Sequence, residues 1–393
     1  MATNLFTDIA CKQETYKKER ICGDTFLFRR MEGGAHSIAV LSDGMGHGVK
    51  ANVLSSLTAS MIINFDYRQD DIRETAEMIL KSLPICSIRK ISYSTFSIVD
   101  INHNTGKATI IEYDNPQSLI YRNGGLFEPA GDKIILKRAE TNRDLIIRTT
   151  TFDIQENDRI VIMSDGITQS GLGSDLYPFG WGRKNVNQFI LQTLSGDKQI
   201  NSSDLAAKIM GRAINNEPEL THDDITCAVI SIRKPKSVLM CSCPPSSESE
   251  YPKLVETIDN FQGEKIICGY HLALLISKLK GVEILKDEFS SDPDVQPAWH
   301  MQGVNIITES LVTMSKVYDI LQKHDYFSGE IGPAATVCKM LLESDEINML
   351  IGTSRENGGF YMVDEFELRR KVMKYIARIL EQKYMKEVNI LYV

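Results

Sequence analysis

A chain of 393 residues exceeds one ordinary domain and predicts two, with room for a third. Hydrophobic residues make up 42% and charged residues 24%, enough for an ordinary soluble core in each domain. The net charge of −8 argues against a nucleic-acid binder, and no apolar run is long enough to span a bilayer, so neither nucleic acid nor a membrane is expected as a partner.

The opening stretch MATNLFTDIACKQETYKKER carries charges early and lacks the apolar core of a signal peptide, so a cytoplasmic location is expected. The run HSIAVLS then reads as a buried strand that ends in LSDGMGHGVKA (41–51). Helical patterns follow at VKANVLSSLTASMIINF and DDIRETAEMILKSL. Strands are expected at YSTFSIVDI (93–101), KATIIEY (107–113), SLIYR (118–122), DLIIRTTTF (144–152) and RIVIMS (159–164). Two more helices, NVNQFILQTL and SDLAAKIMGRAINN, precede the strand ITCAVISIR (225–233), with Ser202 or Ser203 as N-cap of the second. Strand runs interleaved with a few helices predict an α+β sandwich over residues 1–235.

KPKSV (234–238) reads as a short linker, after which the pattern changes. Short apolar strands (SVLMCS, EKIICG, INMLIG) alternate with helices (YPKLVETIDNF, YHLALLISKLKG, ESLVTMSKVYDILQKH, AATVCKMLLES, DEFELRRKVMKYIARILEQKYM). That alternation predicts an open α/β sheet over residues 236–393. Eight cysteines are scattered along the chain without a CxxC pair, which leaves zinc-ribbon and thioredoxin readings unsupported. Cys241 and Cys243 read as two strand residues.

Chemistry concentrates in acidic strand ends. Asp43 follows strand 37–42, Asp165 follows strand 159–164, and Asp223 and Asp224 open strand 225–233. Asp24, in ICGDTFLF, precedes another apolar run. Carboxylates gathered at one end of a sandwich repel each other and lose solvation. A divalent cation removes that conflict, and hard cations such as Mg2+ and Mn2+ choose oxygen ligands. Gly44 would let a backbone carbonyl approach the ion. The alternative is three unrelated strand-end turns.

LSDGMGHG, IMSDGIT and HDDITCAVI, in this order and preceded by Gly23-Asp24, resemble the SpoIIE-type branch of the type 2C metal-dependent serine/threonine phosphatases. The likeness covers roughly residues 1–233. It implies an α-β-β-α phosphatase sandwich with two Mn2+ or Mg2+ ions at one end. Asp43 would bridge both ions, the Gly44 carbonyl would hold one, and Asp165 and Asp223 would hold the other. Asp24 would orient water from outside the ligand shell, and Asp224 would sit at or just beyond it. Asp43, Asp165 and Asp223 are thus the catalytic set. Hydrolysis would use a metal-activated water, with no phosphoenzyme. The implied partner is a phosphorylated regulatory protein, such as an antagonist of an anti-sigma factor, and a homodimer is a further candidate assembly. Many eukaryotic members carry a histidine two places after the first aspartate, where this chain has Met45. His47 and His222 lie near the motifs, and a surface or helix-capping role is expected for each.

Other phosphatase chemistries fare worse. Cys227 and Arg233 satisfy C-x5-R, but AVISI between them is a strand and not a phosphate-cradling loop. GxGxxG and Walker A patterns are absent. In the C-terminal part, CGYHLA (268–273) offers a strand–glycine–helix turn, which suits either an anion or plain α/β packing. This part resembles the C-terminal domain of SpoIIE-like phosphatases from iron hydrogenase gene neighbourhoods, where CGGTTA is expected at that turn. The resemblance implies a sensing or docking domain. Two rivals stand beside the protein phosphatase: a catalytically silent or latent regulatory module that binds a partner, and a metal phosphoesterase for small molecules.

Overall fold

The structure, a computed structural model, describes residues 5–16, 19–30, 36–64, 78, 80, 94–136, 145–217, 223–287, 292–323, 331–353, 363–384 and 386–393. The helix expected over 70–83 lies outside them apart from residues 78 and 80, as do Cys86 and His222. The chain divides into two compact units, Met1–Lys234 and Pro235–Val393. Among the described residues no helix is long and apolar enough to cross a membrane.

The first unit contains β1 (Phe6–Glu14), β2 (Asp24–Arg30), β3 (His36–Gly44), α1 (Gly48–Ile63), β4 (Ser94–Asn102), β5 (Lys107–Tyr113), β6 (Leu119–Arg122), β7 (Gly125–Phe127), β8 (Gly131–Leu136), β9 (Leu145–Asp153), β10 (Arg159–Met163), the single turn α2 (Asp165–Gln169), α3 (Gly182–Gly196), α4 (Ser202–Asn216) and β11 (Ile225–Arg233). They build a five-stranded sheet, β1-β11-β10-β6-β7, and a six-stranded sheet, β2-β3-β4-β5-β9-β8. Ala39, Leu41, Val99 and Ile110 of the larger sheet pack against Ile160, Ile162, Ala228 and Ile230 of the smaller one. The outer face of the larger sheet, with Ile38, Val40 and Ile98, takes Ala59 and Ile62 of α1. The outer face of the smaller sheet, with Val161, Cys227 and Val229, takes Val186 and Ile190 of α3 and Leu205 and Ile209 of α4. The layers therefore run α-β-β-α. β3 and β11 are buried on both faces and are accordingly continuous apolar runs instead of alternating ones.

Cys227 and Arg233 both sit on β11, with no loop between them to cradle phosphate. Burial pushes the Cys227 thiol far above its ordinary range, the reverse of what a nucleophilic cysteine needs. The N-cap of α4 is Asn201, whose side chain accepts the Asp204 N–H at 2.8 Å. Ser202, one of the two expected caps, turns away to bond Asp8 and Ser231.

The second unit contains β12 (Ser237–Ser242), α5 (Tyr251–Asn260), β13 (Glu264–Cys268), α6 (Tyr270–Lys280), β14 (Ile284–Lys286), β15 (Trp299–Met301), β16 (Val304–Thr308), α7 (Leu311–Gln322), α8 (Pro333–Glu343), β17 (Glu346–Ile351), α9 (Val363–Tyr384) and β18 (Glu387–Tyr392). One seven-stranded sheet results, in the order β14-β15-β16-β13-β12-β17-β18. The run from β16 to β18 is parallel, and β14 and β15 add an antiparallel edge. Leu239, Cys241, Ile267 and Leu350 face α5 and α6. Val238, Met240, Ile266 and Met349 face α7, α8 and α9. This is an open α/β sheet covered on both sides. Only Cys241 of the CSC pair lies on β12; Cys243 follows its end at φ +63°, in the left-handed region.

Candidate metal centre

Strand register assembles the acidic residues. The β2/β3 pairing sets Asp24 opposite Asp43, in the last two positions of β3 with Gly44. The β10/β11 pairing ends at Met163 opposite Cys227. Beyond it Ser164 continues the ladder, its N–H donating to Thr226 O at 3.0 Å and its Oγ accepting the Thr226 N–H at 3.0 Å. Asp165, which opens α2, is thereby held beside the entry to β11, where Asp223 and Asp224 stand. The charge of Asp165 acts on Asp43 across the two sheets.

The glycines of the two Asp-Gly pairs answer a packing demand. A Cβ on Gly44 would lie 2.1 Å from the Ala51 carbonyl oxygen, because the first turn of α1 presses onto the end of β3. A Cβ on Gly166 would lie 2.2 Å from the Asp224 carbonyl oxygen. Each Asp-Gly is therefore welded to a neighbouring backbone, and neither glycine has a positive φ.

Each carboxylate has its own partners. Asp24 Oδ2 accepts the Thr226 hydroxyl at 2.6 Å. Gln13 Nε2 donates to Thr226 Oγ1 at 3.2 Å and to the Asp24 carbonyl at 3.4 Å. Asp165 Oδ2 accepts from Gln169 Nε2 at 2.6 Å. Asp223 Oδ1 accepts the Asp224 N–H at 2.9 Å. Asp224 spends both oxygens on the segment before β2: Oδ1 accepts the Tyr16 N–H at 2.8 Å and Oδ2 the Gly23 N–H at 2.9 Å. A Cβ on Gly23 would fall 2.7 Å from that Oδ2, so a side chain there would displace the carboxylate.

These groups are electrostatically uncomfortable together. Burial pushes Asp24 up to about 7, against the easing of hydrogen bonds from Thr226 and Ser164. Burial and then the charges of Asp24, Asp165 and Asp223 hold Asp43 well above the usual carboxylate range. Burial and then the Asp165 charge push Asp223 to about 6. Burial raises Asp165, and the charge of Asp114 adds to it. An all-oxygen donor set under mutual repulsion fits a hard divalent cation. As the side chains stand, no group of three or more His, Cys, Asp or Glu among the described residues converges to hold an ion. The fit therefore rests on donor chemistry and charge, not on a closed cage.

Several contributors escape sequence reasoning. Asp114, at φ +57° just after β5, is exposed and its charge reaches Asp165. Its signal was the D-N-P turn in EYDNPQ, which is ordinary for a strand end. Thr226, Ser164 and Gln13 carry no signal of their own, since their roles exist only once the register is set. His47 occupies the N-cap position of α1, but its side chain caps nothing. Its Nδ1 lies 2.9 Å from Glu19 Oε1, and its ring stacks on Tyr16 at 4.7 Å. In the second unit, Gly269 is the N-cap of α6 at φ +123°.

The family profile described as Stage II sporulation protein E (SpoIIE) matches residues 33–233, a little over half of the chain. The chain belongs to this family. Among solved structures, the phosphatase domain of the cell fate determinant SpoIIE from Bacillus subtilis, in a crystal form without domain swapping, is 17% identical. Its TM-score is 0.44, with 59% of this chain and 94% of that one covered. RsbX in complex with magnesium is 17% identical, with a TM-score of 0.39 and coverage of 57% and 95%. The S. agalactiae serine/threonine phosphatase is 16% identical, with a TM-score of 0.43 and coverage of 57% and 99%. The comparison with curated proteins gave no match.

Proposed function

We propose that the protein is a metal-dependent phosphatase that hydrolyses phosphoserine or phosphothreonine on a bacterial signalling protein. The observation that carries this is the strand register that sets Asp24 opposite Asp43 and holds Asp165 beside the entry to β11, in a chain of the SpoIIE family. When bound, two Mn2+ or Mg2+ ions supply a water that is nucleophilic near neutral pH and screen charge on the phosphoryl oxygens. Asp43, the Gly44 carbonyl, Asp165 and Asp223 are the groups that would hold the ions. Asp24, whose carboxylate is fixed by the Thr226 hydroxyl, would accept a hydrogen bond from the water that attacks. Asp224 accepts the Tyr16 and Gly23 N–H groups and so ties these two residues to the entry of β11.

Residues 1–235 form the phosphatase domain in this reading, and residues 236–393 a regulatory or docking domain. The partner is a phosphorylated regulator of the anti-sigma factor antagonist type, met in the cytoplasm. A second reading, a latent or silent module that binds a partner, draws on the open arrangement of the carboxylates. Hydrolysis of a phosphothreonine peptide separates the two. The enzyme reading expects turnover with Mn2+ that chelator abolishes and that Asp165→Asn reduces by about 10²-fold or more. Absence of turnover in the presence of bound Mn2+ supports the latent reading.

A further inference from the structure

The two edges of the seven-stranded sheet are unlike. β14, at one edge, has three residues and ends in the charged Lys286. Shortness and a lysine are common protections of an exposed edge. β18, at the other edge, runs six residues in unbroken parallel register with β17, from Glu346–Glu387 to Ile351–Tyr392. It has no bulge, no proline and a single charge, Glu387. Among the described residues its outer side pairs with no strand. Ile390 is 36% exposed, Leu391 61% and Tyr392 44%.

Hydrogen bonds at both ends of β18 fix which residues face outward. The Glu387 N–H donates to Asp345 O at 3.3 Å. The Val393 N–H donates to Ile351 O at 3.1 Å, and Val393 O accepts the Thr353 N–H at 2.6 Å. Backbone direction alternates along a paired strand. Glu387, Asn389, Leu391 and Val393 therefore turn their backbone groups to β17, and Val388, Ile390 and Tyr392 turn theirs to the open edge. The side chains of these three share one face of the sheet. It is the face of α7, α8 and α9, since Val388 packs into that core, whereas Val393 packs into the core under α5 and α6. On this face Lys374 Nζ of α9 lies 5.6 Å from the centroid of the Tyr392 ring. Arg378 and Glu381, both exposed, follow Lys374 at one and two helical turns, so all three line the side of α9 above the edge.

We infer that β18 pairs antiparallel with β18 of a second copy of this chain, about a two-fold axis at Ile390, so that two seven-stranded sheets become one. Three features select a second copy over a foreign strand. The outward backbone groups are symmetric about Ile390. With Ile390 opposite itself and Val388 opposite Tyr392, every outward N–H and C=O finds a partner. The same register keeps the two copies of Glu387 at opposite ends of the seam, where like charges do not meet. It also runs the two α9 helices antiparallel, Lys374 of one copy beside Glu381 of the other. Tyr392 and Val388 are about 13 Å apart along the strand, close to the roughly 10 Å that separates Lys374 from Glu381 along the helix.

The test is sedimentation equilibrium of the full chain over a concentration series, with hydrogen exchange read at β18. A dimer is expected above about 10 µM, with the N–H groups of Val388, Ile390 and Tyr392 protected in step with its formation. Ile390→Pro removes an outward N–H at a position where an edge strand tolerates proline. It is expected to weaken the dimer by about 100-fold or more while Tm stays unchanged. Lys374→Glu and Glu381→Lys are each expected to weaken the dimer by roughly tenfold, and the two together to restore it. A wild type that stays monomeric throughout leaves the edge to a strand of another protein and overturns the inference. A dimer that Ile390→Pro and both charge reversals leave intact lies on another surface, which overturns it as well. Should Ile390→Pro lower Tm, the reversals decide: restoration in the double variant upholds the pairing, and additive weakening overturns it.

Discussion

At the scale of single residues, Asp224 and Asp43 have opposite work. Asp224 is engaged through both oxygens by backbone N–H groups, so its removal leaves two donors without partners and frees the segment before β2. Asp224→Ala is expected to cost about 1–3 kcal/mol of stability in denaturant titrations. Asp43 behaves in the reverse sense, because its charge is buried among like charges. In chelator near pH 8, Asp43→Asn is expected to raise Tm by roughly 2–4 °C, since it removes one member of a repelling set. A lower Tm for that variant contradicts the picture of a strained acidic cluster. Gly166→Ala is expected to be among the worst single changes in the unit. Its methyl group meets the Asp224 backbone, which cannot move without shifting β11. A loss of about 2 kcal/mol or more in chemical denaturation is the expected readout.

At the scale of elements, the strands that were legible in the sequence are those with unbroken apolar runs or, as in β9, a clean alternation of buried and exposed residues. β3, β10 and β11 gave themselves away as unbroken apolar runs. β1 did not, because FTDIACKQE is an edge strand of mixed exposure, and its length becomes visible only in its pairing with β11 from Phe6–Arg233 to Glu14–Ile225. β18 hides for the same reason at the other end of the chain, with most of its residues exposed. The acidic strand ends were legible because Asp-Gly and Asp-Asp stand out beside apolar runs. The partners that hold them were not, since Thr226 acquires its role toward Asp24 only when two strands from different sheets face each other. His103 follows β4, and its Nε2 lies 2.8 Å from Thr7 Oγ1 of β1. Burial, then the charges of Arg30 and His36, lower its pKa below the ordinary 6.5. The unfolded chain therefore binds the proton more readily than the folded one. This contribution is whole above pH 6.5 and is lost as pH falls through the folded pKa. Wild type and His103→Gln are expected to diverge in that sense: the wild type gains stability over the variant as pH rises from 5 to 7.5. Parallel stability curves would contradict it.

At the scale of the whole molecule, each unit encloses cores of its own: among the described residues, three clusters in Met1–Lys234 and two in Pro235–Val393. A fragment ending at Lys234 is therefore expected to unfold cooperatively and to bind Mn2+ as the full chain does, and an aggregated or metal-blind fragment would count against the independence of the units. The α/β architecture of the second unit was legible from its alternation of short strands and helices. Its role was not, because an open α/β sheet hosts many functions and the turn at Gly269 is equally a packing device. The central claim is that the carboxylates at the sheet ends exist to hold divalent cations. Calorimetric titration of Mn2+ into the metal-free full chain tests it most directly. The account predicts binding of two ions per chain that Asp43→Asn abolishes. Absence of binding at millimolar Mn2+, or an Asp43→Asn variant that binds like the wild type, would contradict it.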